Sequence, residues 1–189
     1  MKKSILTLTI FVIAIITGFA QGVSKNQVAG NLVVYGTSNL HDWDVKAGDI
    51  SGNATFQIDN GVLKSISKLN FIVKAESLKS GKSGMDKNTY AALNTKAHKN
   101  ITYSLSRVSK ITETATNTYS VETTGNLTIS GTTKPITINF IAKTTGNKLS
   151  LNGVVSLDMT HYGITPPTAL MGTVKTGKDV RIEFDIEYK

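Results

Sequence analysis

The chain of 189 residues contains no cysteine. Disulfides, thiolate nucleophiles and thiolate metal ligands are therefore excluded. So is the lipidated cysteine on which a bacterial lipoprotein anchor depends. Arginine is almost missing, with only Arg107 and Arg181 beside the lysines. The formal charge is +8, but the lysines are scattered, and no dense basic run or arginine-rich helix is present. Such a pattern describes a solvated basic surface rather than a nucleic-acid groove. It admits peripheral contact with an anionic membrane surface. No Pro-rich or Gly/Ser-rich linker divides the sequence, so it reads as one domain.

Long apolar runs are confined to the beginning. Ile5 to Ile16 is almost unbroken apolar, yet shorter than the roughly 18 residues a spanning helix needs. Lys2 and Lys3 precede it, and the small residues of Gly18-Phe19-Ala20 follow. That is the pattern of a cleavable export signal. The expectation is a signal peptide over 1–20 and a mature domain over 21–189, periplasmic or secreted.

Chemical motifs are sparse. His41, His98 and His161 lie far apart and have no zinc-like spacing. Gly81-Lys82-Ser83 resembles the end of a phosphate-binding loop, but Glu76 occupies the position where that motif needs glycine. There is no Gly-x-Ser-x-Gly elbow. Asp42 and Asp44 flank Trp43. On a strand the two carboxylates would share a face; in a turn they would bond local backbone instead, which is the preferred reading. No catalytic residue, metal ligand or cofactor is assigned, and the chain is expected not to be an enzyme.

What is abundant is period-two alternation. At the C-terminus Val180, Ile182, Phe184, Ile186 and Tyr188 alternate with Arg181, Glu183, Asp185 and Glu187. One face is made for core and the other for water. Similar patterns predict eight strands near 28–36, 50–59, 63–76, 100–112, 117–130, 134–145, 148–160 and 179–188. Turn chemistry joins them at Asp59-Asn60-Gly61, Gly131, Gly146-Asn147 and the polar stretch 113–117. Two connections are long. Within 77–99, residues 85–97 read as a short helix with Met85, Thr89, Ala92 and Leu93 near one face. The other, 160–178, holds Pro166-Pro167, which bars a central strand. Eight antiparallel strands have unsatisfied edges unless the sheet closes. A two-sheet sandwich is the alternative, but several strands of about ten residues or more are long for a sandwich, so an all-β, extended eight-stranded antiparallel barrel with a short helix in a long loop is the expected fold.

Alternation points Phe71, Tyr103, Leu105, Phe140, Leu157 and Phe184 inward. Trp43, Met159 and the loop residues Tyr90, Leu93, Tyr162, Ile164, Leu170 and Met171 complete the candidate ligand-binding set. Methionine and aromatics suit an adaptable apolar pocket. They equally suit plain core packing, and the loop residues could line an entrance or anchor the loops on the outside of the barrel.

Several stretches resemble a known family. Ser38-Asn39-Leu40-His41-Asp42-Trp43 resembles the opening segment of the YceI-like proteins, and Gly125 to Ile136 resembles their Gly-x-Leu-Thr-Ile hairpin. Met159-Thr160-His161-Tyr162-Gly163-Ile164 is similar to their aromatic-Gly-Ile loop. Met85 to Tyr90, followed by His98 to Tyr103, is similar to their helix and returning strand. The resemblance implies a lipocalin-like barrel that holds a polyisoprenoid or similar amphiphilic lipid, with no catalytic residues. A homodimer is compatible with it. The competing readings are an enzyme acting on a small apolar or lipid-like substrate, and a ligand-free structural or stress-related envelope protein.

Overall fold

The computed structural model describes residues 22–189, so the expected export signal and its cleavage point lie outside the described residues. In chain order the strands are β1 (Gly22–Lys25), β2 (Val28–Ser38), β3 (Trp43–Ala47), β4 (Ile50–Asp59), β5 (Val62–Lys74) and β6 (Leu78–Lys79). After helix α1 (Ser83–Ala92) come β7 (Asn100–Ala115), β8 (Thr118–Ile129), β9 (Thr132–Thr145), β10 (Lys148–Asp158), β11 (Thr168–Ala169) and β12 (Val174–Tyr188). Single 3-10 turns occupy Ala75–Ser77 and Met159–Tyr162.

Twelve segments reduce to the expected barrel once their registers are compared. Gly22 lies opposite Gln57, and Gly36 lies opposite Trp43. These two ladders continue one register, so β1–β2 and β3–β4 are two long strands whose pairing is interrupted in the middle. Likewise β5 and β6 are one strand broken by the turn at Ala75–Ser77, pairing in succession with β4 and β3. From there the order runs β5-β7-β8-β9-β10-β12-β2-β3. All pairings are antiparallel. Because β3 also meets β6, the continuation of β5, the ladders form a cycle of eight strands. Closure satisfies the backbone groups that an open edge would leave unpaired.

Several boundaries differ from those read in the sequence. The first strand begins earlier, at Gly22, although 26–27 interrupt it. The segment around Asp42 and Asp44 is not simply a turn, because β3 begins at Trp43. The helix is shorter and earlier than 85–97, and Asn94 in the left-handed region (φ 48°) follows its end. The second long connection contains β11, and β12 starts before residue 179. Strand β5 breaks strict alternation. Irregularities in its pairing with β4 bring Leu63, Ile66 and Leu69 all to the buried side, as an extra residue on one strand does.

The turns follow local chemistry. Asp59 pairs with Val62 across Asn60 (φ 50°) and Gly61 (φ 81°), and both residue types tolerate the left-handed region that a two-residue hairpin demands. On the outer wall, Arg181 stacks 4.6 Å from the ring of its cross-strand partner Tyr35 and pairs with Glu183. The charged face of β12 is thereby held in place toward water.

Candidate functional site

The barrel interior has two unlike halves. One end is filled by Phe56, Leu63, Ile66, Tyr119, Val121 and Leu149, each at most 4% exposed. Tyr119 Oη accepts a hydrogen bond from Leu63 N at 3.1 Å, so its buried hydroxyl has a partner. The other end encloses a cavity of about 950 Å³. That is near the top of the roughly 300–1,000 Å³ range of small-molecule sites.

The same alternation that builds the strands builds the cavity wall. Leu32 and Val34 of β2, Phe71 and Val73 of β5, and Ile101 and Tyr103 of β7 face it, as do Ile182, Phe184 and Ile186 of β12. Phe71, Leu157, Ile182 and Phe184 remain only half-buried although they point inward. Close-packed interiors leave few voids larger than a water molecule, so this half of the barrel is not a packed core.

Two tyrosines add neutral polar groups to the wall. Tyr103 Oη lies 3.2 Å from Thr123 Oγ1, which itself donates to Ile138 O at 2.6 Å. Tyr103 is therefore the donor in its own bond. Tyr188 Oη donates to Asn70 O at 2.9 Å. Burial pushes both phenols above their ordinary pKa, opposed at Tyr103 by the bond to Thr123 and reinforced at Tyr188 by Tyr103. Both stay protonated at neutral pH.

The mouth is made by three segments. Helix α1 contributes Met85, Thr89 and Ala92, followed by Leu93 just past its end; all four expected to share a face line the cavity. The helix is tied down at its start, where Ser80 N and Oγ donate to Asp86 Oδ1 at 2.8 and 2.7 Å and hold that carboxyl below its ordinary pKa. Past its end, Leu93 O accepts from Ser130 Oγ at 3.0 Å, which fastens it to the β8–β9 hairpin. The second segment brings Ser38, Leu40 and His41, and the third is the turn at 169–172. Asn39 joins these two: its side chain donates to Thr173 O at 2.9 Å and accepts from Lys175 N at 2.8 Å.

Eleven of the fourteen candidate residues line this cavity: Trp43, Phe71, Leu93, Tyr103, Phe140, Leu157, Met159, Ile164, Leu170, Met171 and Phe184. Three do not. Tyr90 lies off the lining face of α1, donates to Glu76 O and Leu78 O at 2.9 and 3.0 Å, and holds Lys79 4.9 Å from its ring centre. It fastens the helix to β6. Leu105 lies just beyond the end of the β5–β7 ladder, which stops at Asn70 opposite Ser104, and it packs at the splay between those strands. Tyr162 is 4% exposed in the core beneath the turn Met159–Tyr162, where burial raises its pKa.

Sequence reading missed the charged part of the mouth. Lys82 and Lys87 line it beside the ring of His41, and among the described residues no Asp or Glu does. These residues sit in a loop and on a short helix, where no alternation singles them out. Among the described residues no three of His, Cys, Asp and Glu come together as a metal site.

A family model for the YceI-like domain matches residues 44–188, most of the chain. The chain belongs to the YceI-like family. Solved structures share the YceI-like fold at low identity. BcnA of Burkholderia cenocepacia is 17% identical with a TM-score of 0.62, covering 85% of this chain and 96% of that one. A polyisoprenoid-binding domain from Saccharophagus degradans, implicated in plant cell wall breakdown, is 10% identical with a TM-score of 0.65, covering 89% and 99%. The YceI protein of Campylobacter jejuni is 14% identical with a TM-score of 0.53, covering 99% and 97%. No curated protein matches the chain in sequence. The YceI-like opening motif now has a structural meaning: Asn39 clamps two mouth segments together, and Trp43 Nε1 donates to Thr37 O at 3.0 Å while its ring lines the cavity.

Proposed function

We propose that this YceI-like protein is an exported carrier that holds a polyisoprenoid or similar amphiphilic lipid, without catalysing a reaction on it. The observation that carries the reading is the cavity of about 950 Å³, walled by aliphatic and aromatic side chains and open at one end. Family membership and the polyisoprenoid-binding neighbour from Saccharophagus degradans favour the same ligand class. Each buried CH₂ contributes about 0.8 kcal/mol, so ten carbons supply about 8 kcal/mol. Association costs roughly 4–15 kcal/mol, which favours a long chain over a short one. The tyrosines on the wall are neutral donors committed to backbone and threonine, which suits holding a chain rather than activating it. Export is proposed from 1–20: protein recovered from the cell envelope should begin near Gln21, and a chain that still begins at Met1 would count against it.

Trp43 is the sole tryptophan and lines the cavity, so it serves as a reporter. Titration with long-chain prenyl alcohols should shift its emission and saturate at one chain per protein. An emission that ignores every chain length, or a response that never saturates, opposes the proposal.

A further inference from the structure

The rim of the cavity departs from what a water-facing surface should be. Leu40, Leu170 and Met171 are 66%, 72% and 108% exposed. Scattered exposed apolar residues need no explanation, but these three border one opening. Their backbone is not loose. Ser38 Oγ accepts from Leu40 N and His41 N at 3.2 and 3.1 Å and donates to His41 O at 2.7 Å. Asn39 then binds that loop to Thr173 and Lys175 through its side chain and through Asn39 N to Lys175 O at 3.1 Å. The loop that carries Leu40 is therefore hydrogen-bonded to the chain that leaves the Leu170–Met171 turn.

The turn itself sharpens the point. Leu170, Met171 and Gly172 are consecutive left-handed residues, with φ of 48°, 56° and 87°. Overlapping turns close over them, with Gly172 N donating to Ala169 O and Thr173 N to Leu170 O. Backbone alone would select glycine or asparagine at such positions. Leucine and methionine there, in solvent, serve the side chain rather than the turn.

Charge on the same rim has one sign. Lys82 and Lys87 line the mouth, and among the described residues neither is within ion-pair distance of a carboxylate and no acid lines the opening. Asp42, next in sequence to His41, is not among the lining residues. Exposed apolar side chains beside unpaired cations match a bilayer interface that carries anionic lipid.

We propose that the cavity mouth docks on an anionic bilayer, with Leu40, Leu170 and Met171 entering the headgroup–acyl boundary and Lys82 and Lys87 meeting lipid phosphates. The opening then faces the hydrocarbon, and an apolar chain passes between bilayer and lumen without crossing water. The proposal deepens the lipid-carrier reading, and its test keeps the two apart.

Protein recovered from its host is floated with vesicles of phosphatidylcholine alone or mixed with phosphatidylglycerol. Every variant carries the same N-terminus, and its lipid content is measured separately by mass spectrometry. Wild type should bind the mixed vesicles, more weakly as salt screens the lysines. A Leu40→Ser/Leu170→Ser/Met171→Ser variant should bind at least about tenfold less. Lys82→Gln/Lys87→Gln should lose about fivefold per lysine at low salt, and it carries the test alone if the triple variant does not fold. Wild-type protein that ignores mixed vesicles, or lysine variants that bind as wild type does, overturns the docking proposal whatever lipid is carried. A barrel that carries no lipid yet docks overturns the carrier reading instead.

Discussion

Trp43 rests on Gly36, and one methyl group tests how firmly. The two residues are direct cross-strand partners between β2 and β3. A Cβ added at Gly36 would lie 2.5 Å from Trp43 Cε2 and 2.6 Å from Cη2, and nearer still to Cζ2. No rotation of a methyl group relieves that overlap, so in Gly36→Ala the indole must leave its seat. Overpacking of this kind costs about 1–3 kcal/mol. The displaced ring also loses its bond to Thr37 O, worth about 1 kcal/mol. Together these give a loss of about 2–4 kcal/mol, or roughly 4–16 °C in Tm for a domain of this size. Urea unfolding followed through the same tryptophan reads both stability and environment. Combining Gly36→Ala with Trp43→Leu should recover part of the loss, because a smaller side chain clears the new methyl, and neighbours in contact couple by about 0.5–3 kcal/mol. Unchanged stability and emission in Gly36→Ala, or strict additivity in the pair, would refute the seating of the indole on Gly36 and with it this part of the cavity wall.

Phe140 is 5% exposed on the inner face, so Phe140→Asp should cost more than about 3 kcal/mol, since an unpaired buried charge is poorly tolerated; wild-type melting would show the face is misassigned. Leu170→Ala/Met171→Ala should leave melting nearly unchanged, within about 0.5 kcal/mol, as expected for exposed positions, whereas a clear drop would mean that the turn anchors on the barrel. Asp158 accepts from Lys178 Nζ at 2.7 Å, Thr160 Oγ1 at 2.6 Å and Thr160 N at 2.9 Å, and these bonds hold its carboxyl well below the ordinary value of 3.8. A depressed carboxyl pKa contributes stability above the unfolded pKa and loses it as pH falls through the folded one. The protection of the Thr160 amide, taken as its intrinsic exchange rate over its observed rate at each pH, should therefore fall in wild type only at pH well below 3.8 and be low across the range in Asp158→Asn; identical protection profiles in the two proteins would contradict that role.

How far the sequence revealed this molecule varied with the periodicity of each segment. Strand β12 was legible because Val180 to Tyr188 alternates without a break, and both faces meet what the pattern promised. Strand β5 was half legible: Leu69, Phe71 and Val73 keep step, while Leu63 and Ile66 reach the interior only through bulges that a period-two reading does not anticipate. The helix face with Met85, Thr89, Ala92 and Leu93 was readable, but Tyr90 was not, because its role depends on backbone carbonyls of Glu76 and Leu78 across the chain. The mouth was least accessible. Leu170 and Met171 stood out as apolar residues in a loop, yet the clamp from Asn39 spans 134 and 136 positions. No local pattern signals such a contact.

The central claim is that the unfilled half of the barrel holds an apolar chain. Solvent extraction of denatured protein recovered from its host, followed by quantitative mass spectrometry, tests it most directly. The account predicts a lipid with a long apolar chain, prenyl in character, at about one per protein, and its loss in a Val155→Trp variant that fills the lumen while remaining folded. Extracts free of such a lipid, together with a lumen that takes up no long-chain prenyl alcohol when one is supplied, would contradict it.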